Sequence, residues 1–198
     1  MSKSGPMTAK SIIARTLATV QLWDDFNNKK LDLEKLKTIL RHSIPKLKFA
    51  CLKLLRSDNK DDSLEKVVSG IIRYISIIKK ALDLPDSTDE SDIENLKLEV
   101  NEALGDYRQI LADYEDLCFG LLIILADVLA AKINKKIEQK IAEECVVYLA
   151  DLIREKVDQS DLEQDLKFII IGLCRLIKSD SGSISPTILA KLVKFSDN

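Results

Sequence analysis

The sequence has only one histidine, His42, and this shortage removes most of the sites that enzymes build from imidazole groups. The dinuclear metal centres of helical bundles need a Glu-x-x-His motif on each of two helices, which a single histidine does not provide. A cysteine–histidine pair needs one of each, but His42 follows Arg41 shortly before Pro45, a setting that favours a solvated side chain. We therefore expect no catalytic residue, no metal site and no enzymatic activity.

Glycine and cysteine are also scarce, with six glycines and four cysteines. Neither a G-x-G-x-x-G sequence nor a P-loop occurs, so the common glycine-rich phosphate sites are absent. No C-x-x-C pair occurs either, which removes the usual zinc spacing. The cysteines lie among apolar residues, as free thiols in a reducing compartment do, so we expect reduced core residues at Cys51, Cys118, Cys145 and Cys174. The sequence predicts no cofactor.

A membrane-spanning segment is missing too. The longest apolar run, residues 117–131, is shorter than the about 20 apolar residues that cross a bilayer, and it contains Asp127. This run predicts a buried helix. Residues 1–10 are small and polar, without the apolar core of a secretory signal. We expect an intracellular protein, cytoplasmic or nuclear, with no membrane span.

What the sequence has in abundance is helix-forming residues. Hydrophobic residues make up 46% and charged residues 31%, whereas aromatic residues are 5% and proline occurs four times. This composition favours helices. A chain of 198 residues is long enough for one domain with a sizeable core. We predict an all-α fold, a single compact domain over 1–198 with about seven to eight helices, arranged as a helical bundle or a short α-solenoid.

Apolar residues recur at steps of three and four along most of the chain, which marks the individual helices. The stripe in residues 63–82 includes Ile71 and Ile75 and predicts a central helix with both residues in the core. Pro45 is expected to end or kink its helix, because proline lacks the amide hydrogen and clashes with the preceding turn. Besides the buried helix of residues 117–131, the predicted helical segments are 8–25, 33–44, 47–55, 63–82, 92–104, 137–157, 161–177 and 186–195.

The segments between helices are less clearly marked. We expect residues 1–7 to be a flexible N-terminus and residues 84–91 to be an exposed loop. The stretch from 106 to 160 has no proline, so Gly105, Gly120 and Asn134 are its candidate break points.

Four predicted helices open with similar phrases, at residues 32–34, 63–65, 92–94 and 161–163. The first three lie about 30 residues apart, a period that is typical of an α-solenoid. The alternative is ordinary capping, since an N-cap residue followed by an acid satisfies free amide hydrogens at the start of any helix.

Asp127 is the most unusual carboxylate, because it interrupts an apolar run where an unpaired charge is costly. We expect it to pair with a basic side chain or to reach solvent. The alternative is a titrating group in a pocket.

Charge is distributed unevenly, although the formal net charge is only −2. Basic residues dominate from 29 to 60 and acidic residues from 86 to 116, which predicts an electrically polarised molecule. The two regions could neutralise each other within the fold. Otherwise the basic segment 29–60 is free to bind phosphates or an acidic protein segment.

A helical wheel of the segment after Pro45 predicts a partner-binding surface. Leu47 and Cys51 point one way, toward the presumed core, and an apolar pair with flanking cations points the other way. The residues of this predicted surface are Lys48, Phe49, Leu52, Lys53 and Arg56. An apolar pair rimmed by positive charge suits an acidic amphipathic segment. The alternative is a helix between two layers, with Phe49 in the core.

These observations predict a non-enzymatic helical scaffold or adaptor that binds a protein partner. One alternative is an accessory nucleic-acid-binding protein that uses the basic segment 29–60, and affinity would then fall steeply with salt. Another is a carrier of an apolar ligand among the aliphatic helices. The sequence leaves homo-oligomer formation open.

Overall fold

The computed structural model describes residues 9–58, 61–85 and 87–179, together with Thr187. These residues form eight helices and no strand, so the prediction of an all-α fold is confirmed. Residues 1–7 and the predicted helix 186–195 lie outside the described residues, except for Thr187. The helices are α1 (Ala9–Asn27), α2 (Leu33–Leu55), α3 (Asp62–Leu82), α4 (Glu90–Leu104), α5 (Arg108–Leu111), α6 (Tyr114–Ile133), α7 (Gln139–Gln159) and α8 (Gln164–Ser179).

Helix α6 is the centre of the fold. It packs against α1, α2 and α7, and most of its residues are buried. Its sequence is apolar on all sides, as a helix surrounded by others requires. The prediction that the helix of residues 63–82 is the central one is therefore wrong, since α6 has that place and α3 packs between α2 and α4. None of the helices in the described part of the chain is long and apolar enough to cross a membrane.

The arrangement is a bundle rather than a solenoid. Helices α2, α3 and α4 pack in sequence, as do α6, α7 and α8, and one hydrophobic core runs through the described helices. The most extensive contact joins α1 to α6, which are far apart in the chain. A solenoid unit contacts only its neighbours, so this contact is the feature that separates the two architectures.

Helix α2 runs without interruption through Pro45, so proline does not end this helix, the first of the two outcomes expected for it. Proline removes only one backbone hydrogen bond, the one to the carbonyl of Arg41. Both Arg41 and Pro45 are exposed, so water can reach the unpaired carbonyl. On the opposite face Ile44 and Leu47 are fully buried, and their packing holds the helix together on both sides of the proline.

The four similar phrases occupy different positions relative to their helices, which removes the argument for a repeat. Asp32 is a true N-cap and accepts a hydrogen bond of 2.8 Å from the Lys35 amide. The cap of α3 is Asp61, so Ser63 already lies inside the helix. Helix α4 begins at Glu90, two residues before Asp92, which shortens the predicted loop 84–91, and residues 161–163 precede α8.

Two of the candidate break points are helix ends, and the third has a different role. Gly105 and Asn134 are the C-caps of α4 and α6. Gly120 lies within α6, where a Cβ atom would overlap the backbone carbonyl of Ala14 and touch the Ala18 side chain. Glycine therefore allows α1 and α6 to approach more closely than any side chain would permit.

Replacing Gly120 with alanine is expected to lower the free energy of unfolding by about 1–3 kcal/mol, because α1 must move away from α6 to admit the methyl group. Urea denaturation measures this change. The matched control is Gly172→Ala in α8, where an added Cβ meets nothing within 4 Å. That change should stabilise by about 0.5–1 kcal/mol through helix propensity. Equal effects of the two substitutions would contradict the close approach of α1 and α6.

Candidate partner-binding surface

The second half of α2 and its C-cap, Arg56, present the five predicted residues on the side that faces away from the core. Leu47 and Cys51 are fully buried, whereas the Phe49 side chain is 70% exposed. Lys53 and Arg56 are exposed, and Lys48 and Leu52 are partly exposed. Phe49 is therefore a surface residue in the structure and not part of a layer between helices. We call Lys48, Phe49, Leu52, Lys53 and Arg56 the α2 surface.

The positive charge of the α2 surface is reinforced by Lys79 of α3, which sequence reasoning missed. Contact with the Lys79 side chain, and its like charge, lower the pKa of Lys48. Among the described residues, no carboxylate forms an ion pair with these two lysines, with Lys53 or with Arg56. The two ammonium groups form a local excess of positive charge, and Lys48 directly precedes Phe49 in the chain.

Some other cations of the segment 29–60 have partners within the fold. Lys35 forms ion pairs with Asp32 (2.9 Å) and Glu144 (3.1 Å), and Lys37 donates a hydrogen bond to the carbonyl of Leu84. Neither Asp32 nor Glu144 belongs to the acidic region 86–116, so these ion pairs are not the expected neutralisation between the two regions. In the second half of α2 Lys46 pairs with Asp127, whereas the cations of the α2 surface form no ion pair with a described carboxylate.

Asp127 is the carboxylate of a buried ion cluster that joins three helices. It is 7% exposed and forms ion pairs with Arg15 of α1 and, at 2.5 Å, with Lys46 of α2. Arg15 is itself only 3% exposed. The prediction that Asp127 pairs with a basic side chain is confirmed. Its main partner, Arg15, was not identified from the sequence, because pairing across more than a hundred residues leaves no local pattern.

His42 lies near this ion cluster and is only partly exposed, so the prediction of a solvated side chain is wrong. Its Nε2 atom is buried and has no hydrogen-bond partner in the described structure. Burial lowers the pKa of His42; the nearby Asp127 carboxylate opposes this effect, and nearby cations add to it. The imidazole therefore favours its neutral form.

All four cysteines are buried and unpaired, as predicted. Burial raises the pKa of each thiol to about 12. Very little thiolate forms near neutral pH at such values, and the thiolate is the nucleophile in cysteine chemistry. These residues act as small apolar side chains in the core.

A second buried carboxylate, Asp25, is also engaged within the fold. Tyr148 of α7 donates a hydrogen bond to it, and the Gln21 amide donates another at 2.8 Å. Burial and the hydrogen bond to Asp25 raise the pKa of Tyr148. This network ties α1 to α7 and occupies both oxygens of the Asp25 carboxylate.

A surface groove of about 360 Å³ separates α2 from the start of α7. Most of its lining side chains are charged, which does not suit an apolar ligand. They are Glu34, Lys37, Arg41, Lys136 and Glu138. Within the described residues, no cluster of three or more His, Cys, Asp or Glu side chains could hold a metal ion.

Comparisons of the chain with protein-family models, with curated proteins and with solved structures gave no significant match.

Proposed function

We propose that this protein is a non-enzymatic helical scaffold or adaptor, and that its α2 surface binds an acidic amphipathic segment of a partner protein. One observation carries the proposal: Phe49 is 70% exposed on a well-packed helix, and its helix neighbours Lys48 and Lys53 form no ion pair with a described carboxylate. Contact of an exposed aromatic ring with water is unfavourable in free energy, and unpaired cations repel one another. Both costs are relieved by a ligand that has an apolar face and negative charge.

The physical roles within the α2 surface divide by residue. Phe49 would insert into the apolar face of the partner as an anchor, with Leu52 one turn away. Lys48, Lys53 and Lys79 would attract the acidic flanks and accelerate association. Because Leu47 and Cys51 fix the other side of α2 in the core, the surface is presented without the entropy cost of ordering a loop.

Nucleic acid is the competing ligand for the same cations. Phosphate binding uses lysine and arginine in a similar way, and Phe49 could stack on an unpaired base. The two ligands differ in salt dependence, since phosphate contacts release condensed counterions and affinity then falls by orders of magnitude between about 50 and 200 mM salt. The apolar contribution of Phe49 and Leu52 favours the protein segment, whose binding should keep a salt-resistant component.

Replacing Phe49 with alanine is expected to weaken binding of a fluorescein-labelled, helical Leu/Glu-rich peptide at least about tenfold, a loss typical of a hot-spot aromatic residue. The free energy of unfolding should change by less than about 1 kcal/mol, because the ring is exposed. Fluorescence anisotropy measures the first quantity and urea denaturation the second.

Tyr114→Ala is the matched control, because it removes another exposed ring, at the start of α6 and outside the α2 surface. Peptide binding should be unchanged in this variant. A labelled single-stranded oligonucleotide should bind more weakly than the peptide at moderate salt. The proposal fails if Phe49→Ala leaves peptide affinity unchanged in a stably folded protein, or if the oligonucleotide binds more tightly.

A further inference from the structure

The outer face of α8 is another exposed apolar surface in the described part of the chain. Ile170, Cys174 and Ile177 are buried against the rest of the fold, and α7 is the main neighbour of α8. On the other side Phe168 is 77% exposed, with Ile169 and Leu176 about half exposed. Several large apolar side chains on one face of one helix are typical of a contact with another molecule.

Gly172 lies in the middle of this face without an internal reason for being glycine. A Cβ atom at Gly172 would meet nothing within 4 Å, whereas Gly120 is required by the close approach of Ala14. Glycine inside a helix costs about 1 kcal/mol relative to alanine. Its presence here produces a flat area on the helix, one turn after the protruding ring of Phe168.

Opposite charges flank the ring and the flat area. Asp165 and Arg175 are exposed, lie on the same side of α8 as Phe168, and form no ion pair with any described residue. Along the helix the face therefore presents an acid, an aromatic ring, a gap and a base. Along the sequence, Ile170 is halfway between Asp165 and Arg175 and also halfway between Phe168 and Gly172.

This order is self-complementary. A second α8 can lie antiparallel on the outer face of the first, with the two-fold axis between the helices at the height of Ile170. Each Phe168 then faces Gly172 of the other copy. Each Asp165 then faces Arg175 of the other copy. In an isologous contact every residue meets its complement twice, so both rings and both pairs of charges are satisfied by one arrangement.

We infer that two copies of this chain associate antiparallel through the outer face of α8, with Phe168 of each packed over Gly172 of the other. The inference rests on α8 and is independent of the proposed ligand of the α2 surface. Such a dimer presents two α2 surfaces, so a partner with two acidic segments would bind with higher avidity than a partner with one.

Sedimentation velocity of the full chain over low to high micromolar concentrations tests this association. The wild type is expected to change from monomer to dimer. Gly172→Leu should raise the dissociation constant at least about tenfold, because the new side chain fills the space for the ring of the other copy. At a concentration where the wild type is monomeric, its melting temperature should be equal or higher, because that space is open within one chain.

A charge exchange identifies the geometry. Asp165→Arg alone should weaken the dimer, and the double variant Asp165→Arg/Arg175→Asp should recover it, because the exchanged charges face each other again. A wild type that stays monomeric at every concentration would overturn the inference. So would a dimer that Gly172→Leu leaves intact, or a double variant that fails to recover.

Discussion

Replacing Asp127 with alanine is expected to cost about 3–5 kcal/mol of unfolding free energy, the range for removing one partner of a buried ion pair. The reason is the remaining Arg15 guanidinium, which is 3% exposed and whose Nε atom already lacks a hydrogen-bond partner. Without Asp127 its charge is buried in an apolar environment with no compensation. Urea denaturation at neutral pH measures the loss.

Two variants separate this charge effect from a simple loss of contacts. Lys46→Ala removes the other cation of the cluster, but Lys46 is 55% exposed, so its loss should cost less than about 1 kcal/mol. The double variant Arg15→Met/Asp127→Leu removes both buried charges and should recover much of the stability lost by Asp127→Ala. If Asp127→Ala costs no more than Lys46→Ala, Asp127 does not compensate a buried charge.

The parts of the fold that followed from the sequence are those in which a helix has one buried face. In α3 the predicted stripe, including Ile71 and Ile75, is buried, and predicted and observed bounds differ by one residue. In a helix with one buried face, apolar residues recur with a period of 3.6 residues, and this pattern shows which face is buried. Helix α6 has no such period, because it is buried on all sides, and so its bounds and its central place required the structure.

Pro45 and Arg15 show why tertiary packing overrides local rules. Proline disfavours a helix interior by about 3 kcal/mol, but buried neighbours on both sides of Pro45 hold α2 intact. Arg15 lies in a helix whose other inward residues are mostly small or apolar, and a charge at such a position is unfavourable from sequence alone. Only the distant Asp127 accounts for its burial.

The sequence predicted one of the two candidate surfaces, on α2, and did not predict the other, on α8. The wheel of α2 predicted an outward Phe49 because Leu47 and Cys51 define a clear inward side. Lys79 was missed because it comes from another helix. The outer face of α8 was not predicted, because the run from Phe168 to Ile171 is apolar on every side, which is typical of a core helix. Exposure of Phe168 depends on which helices surround α8, and the sequence of α8 does not specify that.

Replacing Ile71 with alanine is expected to lower the free energy of unfolding by about 2–5 kcal/mol, through lost burial and a residual cavity. Ile71 is fully buried in α3, which packs between α2 and α4, so a cavity there would weaken both contacts. Ile75, one turn later and equally buried, should give a loss in the same range. Urea denaturation followed by circular dichroism measures both losses.

Ile133→Ala is the matched control for these truncations, because it deletes the same atoms from a side chain that is nearly half exposed at the end of α6. Its cost should stay within about 0.5 kcal/mol, since little apolar area leaves the core and alanine has the higher helix propensity. A cost for Ile71→Ala that is no larger than that of Ile133→Ala would mean that α3 does not pack between α2 and α4. The ratio of the two losses therefore tests the position of α3 independently of the total stability of the protein.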